Sequence, residues 1–375
     1  MPKNNHKEPL VALDHPFRVA VIGSGNWGSA IAKVVAENTA AKPDLFVKDI
    51  NIWVHKEEVD GKDLTDTINE THENVKYLPG IKLPENLIAN SRLIKVVKDA
   101  DIIVFNLPFQ YLPYVCNILK GHIPSHVRGI SCIKGFQYLS ENHELLISSE
   151  YIRRMLGIEC GALGGANIAS EVAKQNWSET TVAYIIPSDY RGPGRDVDHR
   201  LLKELFQRPY FHVTTISDVA GVSVCGSLKN LVALACGLVE GVGWGNNAAA
   251  AIQRVGLSEI IKFGQMFFPE SSVETYYRES AGVADLITSC SGGRNVAVGK
   301  LMGETGKDAL TCEAELLNGQ SAQGILSSKD IYEALKFSGR LDDFPLFHSV
   351  YEIIYQNMPI EDLPDMIEEL DSFRF

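Results

Sequence analysis

Three glycines within six positions, in VAVIGSGNWGSAIAKVVAEN at 19–38, restrict this chain's fold more than any other stretch. An apolar, β-like run leads into Gly23, Gly25 and Gly28, and a helix-like run leaves them. A sharp exit from a strand favours a residue without a Cβ, and Gly23 supplies one. At Gly25 the bare backbone lets a pyrophosphate come close, and Gly28 lets the next helix lie tightly on the strand. A helix beginning near Asn26 would then point its free N–H groups and positive dipole end at that anion. The turn reads as a dinucleotide cradle because of its context: strand before, amphipathic helix after, at the head of a βαβ series.

One part of that pattern is missing. An acidic residue usually ends the second strand and holds the adenosine ribose of NAD. Here INIWVHKEE places His55 and Lys56 there, with Glu57 and Glu58 later. The turn alone therefore leaves open the choice between NAD and its phosphorylated relative.

Short β-rich runs alternate with helical stretches through the first half: 17–23, 50–54, 101–108, 128–135, 159–165 and 180–186. Continuous apolar strands separated by helices predict a parallel sheet covered on both faces. A turn-rich segment at 187–196 follows, then a helix in RLLKELFQ and one more strand in FHVTTI (211–216). From Asp218 the alternation stops, and long helices are expected at 218–241, 248–267, 308–318, 327–338 and 346–356. The expected architecture is α/β: a Rossmann-type, mostly parallel sheet domain over 1–215, then an all-helical domain over 216–375. A chain of 375 residues suits two such cores.

Composition narrows the partners. Thirty-five basic against 47 acidic residues give a net charge of −12, which argues against nucleic acid and anionic membranes. An anionic ligand would need a local cationic pocket. Seven cysteines, 116, 132, 160, 225, 236, 290 and 312, form no C-x-x-C pair and several lie in apolar runs. They read as reduced core thiols, with no metal site. The first ten residues lack a signal-like apolar region, no uncharged apolar run is long enough to span a bilayer, and DSFRF is no peroxisomal address. A cytoplasmic protein is expected.

Polar residues stranded in apolar helices mark the chemistry. In 217–241, capped by Ser217 or Asp218, Lys229 and Asn230 interrupt an otherwise apolar run. Lys229 shares a face with Val222, Cys225, Val232 and Cys236. Burying its ammonium there costs several kcal/mol unless it is paired, and lowers its pKa toward the range useful for proton transfer. A lysine whose stem is buried and whose head reaches water fits the same spacing. Asp285 stands alone in the apolar part of 279–299 and is a partner for Lys229; Arg294, after two glycines, suits a phosphate or carboxylate. Lys134 lies just past a strand, where open α/β sheets bind ligands. Asn318, Gln320 and Gln323, around two glycines, form a loop that reaches toward a cofactor or simply ends a helix.

Taken together, VIGSGNWGSAIAK, HENVKYLPG, GANIASEVA, CGSLKN, GVADLITSCSGGRN and LLNGQSAQG resemble the eukaryotic NAD-dependent glycerol-3-phosphate dehydrogenases, the fungal cytosolic ones above all, from about 17 to 357. The resemblance implies NAD as cofactor and a small phosphorylated substrate. It puts the pyrophosphate on Gly23, Ser24, Gly25, Asn26, Trp27 and Gly28, with Tyr111, Lys134, Ala166, Arg294 and Gln323 also near the cofactor. Lys229 would be the proton donor and acceptor, beside Asn230, Asp285 and Lys134; Ser289, Arg294 and Asn295 would complete the substrate site. Tyr111 replaces a usual phenylalanine, Ser289 a frequent threonine, His55 a common aromatic, and Ser321 a cofactor-contacting lysine of some animal relatives. Two other readings share parts of the pattern: a β-hydroxyacid or ketopantoate-type dehydrogenase, and a non-catalytic NAD(H) sensor. Apolar helices in the second domain suggest a homodimer.

Overall fold

The computed structural model describes residues 15–317 and 320–371; the readings made on the first ten residues, on the last four and on Asn318 lie outside them. Eight strands form the main sheet: β1 (Val19–Ile22), β2 (Ile50–Trp53), β3 (Leu87–Asn90), β4 (Ile102–Phe105), β5 (Arg128–Ser131), β6 (Glu159–Gly164), β7 (Ser178–Ala183) and β8 (Phe211–Ile216). Their order is β8-β7-β6-β5-β4-β1-β2-β3. β1 pairs in parallel with both β2 (Ala20 opposite Asn51) and β4 (Ala20 opposite Ile103). The strand order thus reverses at β1, and the crevice beyond its C-terminal end is where such sheets bind ligands.

The mostly parallel sheet is the one expected, with two details that the sequence did not specify. β3, only four residues long, was not expected, nor were the hairpins Glu58–Val59/Lys62–Asp63 and Phe136–Leu139/Glu144–Ile147. The sheet is also not parallel throughout: β7 runs antiparallel to β6, Ala162 opposite Ala183. The connection between these strands, 165–177, carries only the five-residue helix Ala169–Ala173 in place of a longer crossover helix.

After β8 no further strand occurs among the described residues. Asp218 caps the core helix Val219–Gly241, accepting from the Gly221 N–H at 2.8 Å. Every residue from Val219 to Val239 is buried, so the helix is enclosed on all sides rather than along one stripe. By length and apolarity alone it would cross a bilayer, but it is wholly buried in protein. All seven cysteines are free thiols, six of them buried; burial pushes Cys116 and Cys132 up to about 12.

The core helix crosses the helix Arg294–Thr305 on facing glycines. A Cβ at Gly237 would overlap the Val296 carbonyl, and one at Gly299 the Leu234 carbonyl. Backbone therefore rests on backbone, which fixes where Arg294 and Asn295, at the start of the second helix, stand relative to Lys229. Gly299→Ala must spread the two helices and should cost roughly 1–3 kcal/mol, read as a lower urea midpoint; an unchanged midpoint would show that the crossing has slack.

Candidate active site

Gly23 has φ of +104°, and its amide bonds the Trp53 carbonyl at 3.2 Å. A Cβ there would overlap the Asn106 carbonyl, and one at Gly28 the Gly23 carbonyl. Protein packing alone demands these two glycines. Gly25 is different: a Cβ built there meets nothing within 4 Å. Its bareness keeps space open at the N-terminus of the helix Asn26–Ala41, as a bound pyrophosphate would require.

Asn74, fully buried, braces the turn. Its Nδ2 donates to the Ser24 carbonyl at 2.8 Å and the Ser29 Oγ at 2.9 Å. Asn26 donates to the Tyr77 carbonyl at 2.7 Å, so the segment HENVKYLPG holds the cradle from the side. Trp27 is half-buried, its ring 6.3 Å from that of Phe211. Asn106, at the end of β4 beside Gly28, is buried with neither atom of its amide hydrogen-bonded. Sequence reasoning named neither asparagine as a site residue; the signal for Asn74 lay inside a motif valued only for its resemblance.

Across the crevice, Lys229 is 5% exposed and its ammonium bonds Asp285 Oδ1 and, at 2.5 Å, Ser289 Oγ. The other Asp285 oxygen accepts from Lys134 Nζ at 3.1 Å. One buried carboxylate thus holds two ammonium groups. Burial pushes Lys229 down, to about 7; Asp285 opposes that shift and Lys134 adds to it. An outward-reaching lysine is excluded by this geometry.

Hydrogen bonds from Ser227 and Ser280 join the helices to the sheet and its loops. The Gly135 amide donates to Ser227 Oγ at 2.7 Å, two residues before Lys229, while the Lys134 stem lies against Gly226. Ser280 Oγ donates to the Glu179 carbonyl at 3.0 Å and accepts from the Ala166 amide at 3.3 Å. Ser280 opens the π-helical turn Ser280–Ala284, from which Asp285 follows directly.

The remaining candidate residues sit on neighbouring elements. Asn295 donates to Asn230 Oδ1 at 3.0 Å and accepts from the Gly324 amide at 2.9 Å, which ties three helices together. Gln323 opens the helix Gln323–Phe337, and its Nε2 is buried without a partner. Arg294 is exposed and donates to Gln320 Oε1 at 3.2 Å. Tyr111 ends the turn Phe109–Tyr111 and is 55% exposed. The Phe109 ring in the same turn packs on Gly135.

A family model described as the N-terminus of NAD-dependent glycerol-3-phosphate dehydrogenase matches residues 18–188, and the model of its C-terminus matches 218–365. The chain belongs to this family. It is 66% identical to a glycerol-3-phosphate dehydrogenase [NAD(+)] of Candida glabrata, over 96% of this chain and 90% of that protein. It is 64% identical to one of Saccharomyces cerevisiae, over 96% and 92%. A solved glycerol-3-phosphate dehydrogenase from Saccharomyces cerevisiae superposes with a TM-score of 0.88 at 64% identity, over 94% of this chain and 99% of that one. The cofactor is NAD, a choice that His55 and Lys56 alone left open.

The glycines of the turn give a paired test. Gly28→Ala should lower the thermal midpoint, because the new methyl has no room. Gly25→Ala should leave the midpoint of the free protein in place while weakening NADH binding roughly tenfold, about 1.4 kcal/mol. Equal effects of both substitutions on stability would remove the distinction.

Proposed function

We propose that the chain interconverts dihydroxyacetone phosphate and sn-glycerol 3-phosphate in the crevice between the C-terminal edge of the sheet and the core helix. The observation that carries this reading is the buried Lys229 ammonium, bonded to Asp285 and Ser289 with Lys134 alongside. Bound NAD supplies the hydride chemistry. Gly23 to Gly28, with the helix behind them, would hold its pyrophosphate; Tyr111, Ala166 and Gln323 would flank it, and Arg294 and Lys134 would reach both it and the substrate.

As the substrate ketone becomes an alkoxide, its oxygen gains a full negative charge. Lys229 neutralises that charge and delivers its proton, becoming an uncharged amine. The drop in its pKa makes this transfer easier than for an exposed lysine. Asp285 keeps the ammonium aimed and, with Lys134, restores the site's balance of charge. Arg294 anchors the phosphate with Asn295, and Ser289 and Asn230 line the substrate side. Binding energy spent at the phosphate orients the carbon that reacts.

The division at residue 215 belongs to this reading: 1–215 binds the cofactor, and 216–375 brings Lys229, Asp285 and Arg294. Its support is that β8 ends the sheet at Ile216 and the core helix starts at Val219. A homodimer and a cytoplasmic location complete it, although the relatives include a Saccharomyces cerevisiae enzyme named as mitochondrial. A β-hydroxyacid or ketopantoate-type enzyme would act on a carboxylate, and a sensor would turn over nothing. Initial rates with dihydroxyacetone phosphate and NADH, beside unphosphorylated and carboxylate substrates, decide among the three.

Lys229→Ala should lower kcat roughly 10²–10⁴-fold with NADH affinity little changed; normal turnover would end the assignment. The proton must be present for ketone reduction, so that rate should fall as pH rises through about 7. Alcohol oxidation needs the neutral amine and should rise over the same range. Parallel profiles in the two directions would show that another group titrates.

Arg294→Ala should raise KM for dihydroxyacetone phosphate far more than for dihydroxyacetone. Equal changes would remove the phosphate clamp.

A further inference from the structure

The glycine turn contains one peptide group that its own residues leave free to rotate. Gly25 has φ of −62°, open space where a Cβ would stand, and an amide with no hydrogen-bond partner among the described residues. A peptide that precedes glycine can turn over, because the positive φ that results costs glycine little. Turned over, the Ser24–Gly25 peptide would offer its carbonyl, rather than its N–H, to an incoming anion.

Asn74 opposes that rotation from 50 residues along the chain. Its whole amide is engaged: Nδ2 donates to the Ser24 carbonyl at 2.8 Å and to Ser29 Oγ at 2.9 Å, and Oδ1 accepts from the Tyr77 amide at 3.1 Å. The reversed amide would set oxygen against the Ser24 carbonyl and NH2 against the Tyr77 N–H, so only one orientation satisfies the group. Ser29, buried as deeply, donates its hydroxyl proton to the same carbonyl at 3.0 Å. The Ser24 oxygen therefore accepts two buried hydrogen bonds. In a planar trans peptide the N–H points opposite to the C=O, so the Gly25 N–H is directed at the open head of the helix Asn26–Ala41. Beyond Gly25, the Asn26 side chain is held by the Tyr77 carbonyl. Both neighbours of Gly25 are thus fastened by one segment, HENVKYLPG.

We propose that Asn74, with Ser29, is a positioning residue for the cofactor: it holds the Ser24 carbonyl inward and so presents the Gly25 N–H to the pyrophosphate. The inference rests on the placement of the pyrophosphate proposed above. Asn74, 1% exposed, reaches neither cofactor nor substrate and acts through a single peptide group. An N–H aimed at a phosphate oxygen makes a charge-assisted hydrogen bond, whereas a carbonyl in its place repels that oxygen. Releasing the lock should weaken cofactor binding and leave the reacting end, built on Lys229 and Asp285, as it was.

The test compares ligands with and without the pyrophosphate. ADP-ribose carries it and adenosine does not; both are titrated into the intact protein as competitors of NADH. Asn74→Ala should weaken NADH and ADP-ribose roughly tenfold or more. Adenosine binding, and kcat at saturating NADH, should stay close to those of the unaltered protein. Ser29→Ala removes the second bond to the same carbonyl and should weaken ADP-ribose in the same direction, which gives the answer even where Asn74→Ala does not fold. ADP-ribose binding that is unchanged in every variant that folds would overturn the proposal. Equal losses for adenosine and ADP-ribose would overturn it too, since they mark a general loosening of the turn. Gly25→Ala tells the two readings apart. If it also leaves ADP-ribose binding in place, the pyrophosphate does not lie on this turn and the lock falls with it. If Gly25→Ala weakens ADP-ribose while Asn74→Ala and Ser29→Ala do not, the lock alone is wrong.

Discussion

A single carboxylate, Asp285, shared between Lys229 and Lys134, is the interaction on which the rest of this molecule turns. Isolated, a buried ammonium costs far more than any one packing contact returns. Paired, it holds the core helix, the Lys134 loop of the sheet and the π-helical turn before Asp285 in one arrangement. The same burial that makes the pair structurally demanding loosens the proton on Lys229. Stability and proton transfer are therefore two readings of one environment, and neither can be tuned without moving the other.

Around that centre the geometry is set by backbone contact more than by large side chains. Gly237 and Gly299 let two helices touch, and Gly23 and Gly28 let a strand and a helix touch. Where backbones meet, spacing is fixed to within a few tenths of an ångström, because interiors this dense have little compressibility. Ser227 and Ser280 add short hydrogen bonds between the sheet and the helical layer. The crevice walls are thus positioned by the protein's own packing.

Much of this was legible in the sequence, and the reasons are local. The glycine turn, most long strands and the core helix announced themselves by residue type and period, as did the mismatch of Lys229 with its apolar neighbours. What was not legible depends on tertiary partners. β3 is no shorter than β1, but it lacks a continuous apolar run, Ile88 standing exposed within it, and no local pattern encodes the reversal of β7. Asn74 and Ser227 look like ordinary polar residues until folding brings Ser24 and Gly135 to them. The Asn230–Asn295–Gly324 link joins positions 65 and 29 residues apart, beyond the reach of any periodic pattern.

The reversed strand has a consequence for polarity. Because β7 turns back and β8 runs alongside it, the chain leaves the sheet at the edge away from the ligand crevice. The core helix starts there and travels toward the crevice, so it presents its middle to the substrate. Lys229 lies ten residues from Val219 and twelve from Gly241, about 15 and 18 Å from the two termini. The macrodipole acts only over the outermost turns, so it neither repels nor attracts this proton. Control of the amine is left to its burial and to three neighbouring side chains, Asp285, Ser289 and Lys134, each of which a single substitution can retune.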